Sequence, residues 1–333
     1  MTIAVLGTGA VGGMLVSRCD AIAVGTERTV AVIKADGLRR VHDGSTTVTQ
    51  PTVVERLEQP VSLLVVAVKA YSLEEALERV EPAALQGAIV LPLLNGLEHV
   101  AFLRELLASH AGVAEATPEF PVGLRARGVA EATPQVPVRA LDRGVASATP
   151  LHPPTVVAGS IGSFEAYSPE PGTIVQRSPG ATITAASDEL RRDVLERALT
   201  PLRVPGVEVV VGADERKVLW AKGARLAVLA AATAASGEAV GALRSDPVWR
   251  ARLEAALGEA CAVATADGVA LDLAAQWAIV EALPASFVSS TARDVAAGRQ
   301  SELDAITGSV VRAGERLGVA TPALARLLAD AGS

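Results

Sequence analysis

The chain has 333 residues, 50% of them apolar but only 3% aromatic, with 30 basic against 37 acidic side chains and a net charge of −7. That apolar share excludes intrinsic disorder for most of the chain, and at about 150 residues per domain the length suggests two domains with ample core. An acidic balance without a basic cluster excludes nucleic acid as the main partner, because phosphate contacts need Lys and Arg.

Residues 2–6 (TIAVL) read as a buried parallel strand, followed at once by Gly7-Thr8-Gly9-Ala10-Val11-Gly12 and a helical run. No basic segment precedes this strand, so no signal peptide is expected. A second strand is expected at 21–24 and a third at 61–68, the latter followed by the capping pattern Ser72-Leu73-Glu74-Glu75. A fourth, at 88–94, ends in Asn95-Gly96. Strands without alternation, separated by helices, indicate a parallel sheet covered on both faces.

The pattern then breaks. Gly-Val-Ala-Glu-Ala-Thr-Pro begins at Gly112 and again at Gly128, and Gly-Val-Ala-Ser-Ala-Thr-Pro begins at Gly144. Proline in every copy prevents one continuous helix, so a surface insertion of irregular or extended structure is expected at about 113–153, with an interaction element as the alternative. Residues 155–161 and 173–176 are expected to return as strands to the sheet.

From about Asp214 the patterns are helical, at 217–235, 246–267, 271–283, 290–297 and 301–317, punctuated by Gly268, Gly298 and Gly318. The most apolar tract, 226–237, is too short for a membrane span. Cys19 and Cys261 cannot build a disulfide framework, which points to a reducing cytoplasm. The expected architecture is an α/β Rossmann-type parallel-sheet domain over 1–212, carrying the insertion, followed by an all-α domain over 213–333.

A glycine-rich loop between a strand and a helix has a mechanical reading. Gly7 allows the tight turn, Gly9 lets a pyrophosphate approach the backbone, and Gly12 lets helix and strand pack closely, with Thr8, Ala10 and Val11 filling out the loop. After the second strand, Glu27 would suit a ribose diol, whereas Thr26 with Arg28 would suit a 2′-phosphate; spacing alone leaves both open. Lys69 and Asn95 follow the third and fourth strands, at the carboxyl edge where open α/β sheets bind ligands, although a lysine there can be merely a solvated charge. Lys222, heading a strongly apolar helix, is a candidate buried amine with a lowered pKa, or else a lysine snorkelling at a helix end. Ser289-Ser290 caps one helix, and Glu302 with Asp304 opens another, as the helix dipole alone would favour. The four histidines are scattered without metal-ligand spacing, and no Gly-x-Ser-x-Gly or Walker loop is present.

Taken together, these features resemble the ketopantoate reductases (2-dehydropantoate 2-reductases), over nearly the whole chain except roughly 113–153. The shared features are the N-terminal loop, the strand ending Val68-Lys69-Ala70-Tyr71, Leu94-Asn95-Gly96, Leu219-Trp220-Ala221-Lys222, Ser289-Ser290 and Ser301-Glu302-Leu303-Asp304. The resemblance implies a Rossmann domain joined to a helical domain, with NADPH and a 2-oxo acid bound in the cleft. It implies that Lys222 donates the proton, with Glu302 near the lysine and the nicotinamide ribose. It makes Asn95 a contact to both cofactor and substrate, Lys69 a cofactor-side lysine, and Ser290 a partner of the substrate carboxylate. The implied reaction is reduction of ketopantoate to pantoate, within pantothenate biosynthesis, with no nucleic acid or membrane partner and a homodimer left open.

Departures from the family pattern fall at one end of the site. Leu226 and Ala230 stand where the family has asparagines on the substrate's hydroxyl end, and Phe287 occupies a third polar position. The family's NADP-reading arginine falls on Thr26, leaving Arg28 as a stand-in. The alternatives are therefore a reductase of a more apolar branched acid, such as 2-oxoisovalerate, or a non-catalytic dinucleotide-binding scaffold. Joining Gly112 to Pro154 is expected to leave a folded, active protein. Loss of cofactor binding in a soluble deletion variant would place the repeats in the site instead.

Overall fold

A computed structural model describes residues 1–110 and 152–332. In chain order the first half runs β1 (Ile3–Leu6), α1 (Ala10–Val16), β2 (Ile22–Val24), α2 (Glu27–Asp36), β3 (Leu38–His42), β4 (Ser45–Thr49), β5 (Val53–Val54), β6 (Leu63–Val66), α3 (Leu73–Leu77), β7 (Ile89–Pro92) and α4 (His99–His110). There follow β8 (Thr155–Val156), β9 (Ala158–Gly162), β10 (Ala166–Tyr167), β11 (Thr173–Gln176), β12 (Ala181–Ala186), α5 (Arg192–Leu199) and β13 (Val207–Val211). Helices α6 (Glu215–Ser236), α7 (Val240–Ser245), α8 (Pro247–Ala266), α9 (Leu273–Ala282), α10 (Ser290–Ala296), α11 (Ser309–Leu317) and α12 (Pro322–Ala331) complete it, with a π-helical turn, Asp304–Gly308, leading into α11. The repeats beginning at Gly112, Gly128 and Gly144 lie outside the described residues.

The central sheet has six strands in the order β5-β2-β1-β6-β7-β8, every neighbouring pair parallel. Its two faces are both buried, with Val5, Val65 and Leu91 in one core cluster and Leu6, Val66 and Val90 in another. This is why the strands read as unbroken apolar runs. The order reverses between β1 and β6, which places a ligand-binding crevice beyond their carboxyl ends.

Two of the expected returns to this sheet are corrected. Only Thr155–Val156 joins it, beside β7; the chain then leaves, and β9 pairs antiparallel with β12 in a three-stranded sheet. Residues 173–176 pair with β3 in a separate four-stranded sheet. Their burial alternates, as suits a strand with one solvated face rather than one enclosed on both.

In the C-terminal domain, α6 is the hub. It packs on α8, α10, α12 and β9, and its small side chains Ala224, Ala227, Ala230 and Ala231 allow that close approach from several sides. By length and composition α6 would suffice to cross a membrane, yet it is mostly enclosed by its neighbours here. Trp220 anchors its first turns, fully buried and donating Nε1–H to Asp267 Oδ2 at 2.8 Å.

The turn after β1 depends on glycine. Gly7 has φ +95, and a Cβ on Gly12 would lie 1.8 Å from the Gly7 carbonyl oxygen. Gly12→Ala is expected to lower stability by about 1–3 kcal/mol, the scale of overpacking. Gly9→Ala, whose Cβ meets nothing within 4 Å, should stay within about 0.5 kcal/mol of the parent. Thermal unfolding of the two variants side by side checks the contrast.

Candidate active site

Leu6 is in register with Val24 and Val66, and Val66 with Pro92. The residues that follow this row open onto one cavity of about 800 Å³ between the sheet edge and the helical domain. Gly7, Thr8, Gly9, Ala10 and Val11 line it, as do Lys69 and Asn95, each three residues beyond the row. Gly12 lies behind the loop and packs on the Gly7 carbonyl. The loop fits a dinucleotide pyrophosphate: the space over Gly9 is open, and no side chain caps the first turn of α1, leaving its amides for a ligand.

Two oppositely charged groups of the helical domain, Lys222 and Glu302, cross the seam to partners in the sheet domain. Lys222, from α6, donates from Nζ to Asn95 Oδ1 and to the main-chain carbonyl of Ile161, both at 2.8 Å. Burial pushes its ammonium down from 10.5 to about 8; the Glu302 carboxylate opposes that shift and Arg225 adds to it. Glu302, only 3% exposed, accepts from Lys69 Nζ at 2.8 Å and from the Ala70 amide at 3.2 Å. Burial alone would depress the Lys69 ammonium, but Glu302, with Asp294 at 3.4 Å behind it, raises it above the ordinary lysine value. Asp294 is held in turn by Arg299 at 2.7 Å. The loop bearing Asn95 meets the π-helical turn directly: Gly96 has φ +97, and a Cβ there would lie 2.1 Å from the Ala305 carbonyl oxygen.

Other expected residues fall as follows. Ser289 is the buried cap of α10, accepting from the Ala292 amide at 3.0 Å and sharing a hydrogen bond with Thr233 at 2.9 Å, whereas Ser290 is exposed and lines the cavity. Leu226 and Phe287 also line it; Ala230 is fully buried in the helical core instead. Thr26 caps α2 and lines the cavity with Gly25 and Thr29. Arg28 does not. It is exposed and faces a neighbouring cleft with Arg39 and Asp36, because one helix face carries Thr26 and Thr29, three apart, and turns Arg28 away. Arg293, Asp294, Arg299 and the Ile161 carbonyl belong to the surroundings of this site, yet sequence reading missed them. Only the first two left a trace, at three and four residues after Ser290 on the same helix.

The family described as Ketopantoate reductase PanE/ApbA matches residues 3–189, and its C-terminal counterpart, Ketopantoate reductase PanE/ApbA C terminal, matches 214–331. The chain belongs to the ketopantoate reductase family. A relative in this family, the 2-dehydropantoate 2-reductase of Halobacterium salinarum, is 28% identical over 345 residues, spanning 99% of this chain and 97% of its own. The solved PanE/ApbA family ketopantoate reductase of Ralstonia eutropha superposes with a TM-score of 0.75 at 25% identity, covering 100% of this chain and 97% of that one. D-mandelate dehydrogenase, solved with NADH and anilino(oxo)acetate, shares the fold at a TM-score of 0.77 and 18% identity, covering 100% and 97%. The chain is therefore an oxidoreductase-type family member with a Rossmann-like N-terminal domain and a helical C-terminal one.

Glu302 is the group that holds the Lys222 ammonium up against burial. In Glu302→Gln, Lys222 should therefore titrate lower than about 8, and Lys69 should fall back from its raised value. Stability should drop by about 1–3 kcal/mol as Lys69 and the Ala70 amide lose a charged partner. NMR titration of the lysine amines, with thermal unfolding, checks both.

Proposed function

We propose that this chain catalyses the NADPH-dependent reduction of a 2-oxo acid to a 2-hydroxy acid, with ketopantoate the first candidate on family membership. The observation that carries the reading is an amine with a pKa near 8, fixed by two 2.8 Å hydrogen bonds, at the wall of the cavity that contains the glycine loop. A general acid works best with a pKa near the working pH. The division of labour follows the chain, with 1–212 holding the dinucleotide and 213–333 supplying the proton donor.

Gly7 to Val11 would hold the pyrophosphate, and Gly25, Thr26 and Thr29 the adenosine ribose. Neither Glu27, expected to read a ribose diol, nor Arg28, expected to read a 2′-phosphate, lines the cavity, so NADPH is proposed on the family resemblance rather than on these two side chains. When bound, the nicotinamide supplies the hydride. Lys222 holds a proton at Nζ and gives it to the carbonyl oxygen as negative charge grows there. Asn95 fixes the amine's direction, and Glu302 keeps it protonated near neutral pH while tying Lys69 and the Ala70 amide across the seam. Ser290 faces the substrate space.

Leu226 and Phe287 on the cavity wall favour a second reading, a more apolar branched acid such as 2-oxoisovalerate. A buried hydroxyl without a partner costs about 1–3 kcal/mol. A hydrocarbon tail gains about 0.8 kcal/mol for each CH₂ buried.

Oxidation of NADPH and of NADH, followed spectrophotometrically against ketopantoate, 2-oxoisovalerate and other 2-oxo acids, tests the proposal. kcat/KM should be flat below and fall above pH 8 or so, because the donor must be protonated. Lys222→Ala should lose about 10²–10⁴-fold in kcat with cofactor binding retained. Turnover of no 2-oxo acid would overturn the proposal; a preference for ketopantoate above about 100-fold would remove the second reading.

A further inference from the structure

Among the described residues, four cationic side chains line the cavity: Lys69, Arg79, Lys222 and Arg293. Three are committed. Lys69 is paired with Glu302 at 2.8 Å and Asp294 at 3.4 Å, Arg79 with Glu75 at 3.4 Å, and Lys222 is bound to Asn95 and Ile161. Arg293, half-buried on α10, donates from Nη1 to the Val288 carbonyl at 2.8 Å and forms no ion pair among the described residues. A partly desolvated guanidinium without an anion is unfavourable, and its planar fork of donors matches a carboxylate. Ser290 lies three residues earlier, on the same helix face, and lines the same cavity.

Resting on the 2-oxo acid reading above, we infer that Arg293 reads the substrate's carboxylate, with Ser290 as its hydroxyl partner. This choice fixes the substrate's direction. The carboxylate lies against α10, the 2-oxo group faces the Lys222 amine, and the tail runs along Leu226 and Phe287. Arg293 is thereby the residue that makes this reductase select an acid rather than any ketone with a suitable tail. A lysine would serve less well, since it brings a point charge without the two parallel donors.

The test compares 2-oxoisovalerate with its methyl ester, which keeps the carbonyl and tail and loses the anion. kcat/KM with NADPH, and Kd for each compound in the presence of bound NADP⁺, are measured for the parent, Arg293→Gln and Arg293→Lys. Arg293→Gln should lose about 10–100-fold with the acid, mostly in KM and Kd, and less than about threefold with the ester. Arg293→Lys should recover part of the loss. Equal losses on acid and ester, or an undiminished preference for the acid, overturn the assignment. So does a loss confined to NADPH affinity, which would give Arg293 to a cofactor phosphate. A parent protein that binds the acid more tightly than the ester but reduces neither refutes the reductase reading alone, because the acid-over-ester difference in Kd still decides Arg293.

Discussion

The Glu302 carboxylate is carried by the helical domain and hydrogen-bonded by the other one. Its partners, the Lys69 ammonium and the Ala70 amide, both follow β6 at the carboxyl edge of the parallel sheet. A carboxylate this buried is tolerable only while those partners stay in place. The cleft geometry is thus tied to the seam between the domains. Lys222 repeats the arrangement with the opposite charge, since its amine also comes from the helical domain, on α6, while its acceptors come from Asn95 and β9. Opening the seam would strip both of these helical-domain charges of their partners at once.

That crossing requires close backbone approach, and the composition supplies it. Gly96 meets the π-helical turn where no Cβ would fit, and α6 presents alanines to the helices around it. A chain with 3% aromatic residues has few large side chains to hold such surfaces apart. The π-helical turn itself adds a residue to the helical repeat, beginning two residues after Glu302, a distortion frequent at functional sites.

The sheet was legible in sequence because both its faces are buried, so β1, β6 and β7 are unbroken apolar runs. The glycine loop was legible because its requirements are local. The hairpin β3–β4 was passed over, although Asp43-Gly44 is a signal for its turn and both residues have positive φ, 47 and 72. Arg28 was misplaced because strand spacing says nothing about the phase of the helix that follows. Lys222 stood out as a candidate buried amine, Lys69 and Asn95 as groups at the sheet edge and Glu302 by resemblance, but which of them pair was not legible. Lys69 and Glu302 are 233 positions apart in the chain, and no local pattern joins them. Arg293 hid in a helix whose caps and charges look ordinary.

Lys222 also has an anchor that carries no sequence signal of any kind, the Ile161 carbonyl. Every residue type at position 161 brings the same oxygen, so replacing the side chain leaves that acceptor in the chain. Scanning mutagenesis would delete the Asn95 contact and leave this one standing, and a survey of side chains would undercount what holds the amine. The position of the amine is therefore written partly in the path of a strand, β9, and drift in the residues along that strand can proceed without displacing it so long as the path is kept.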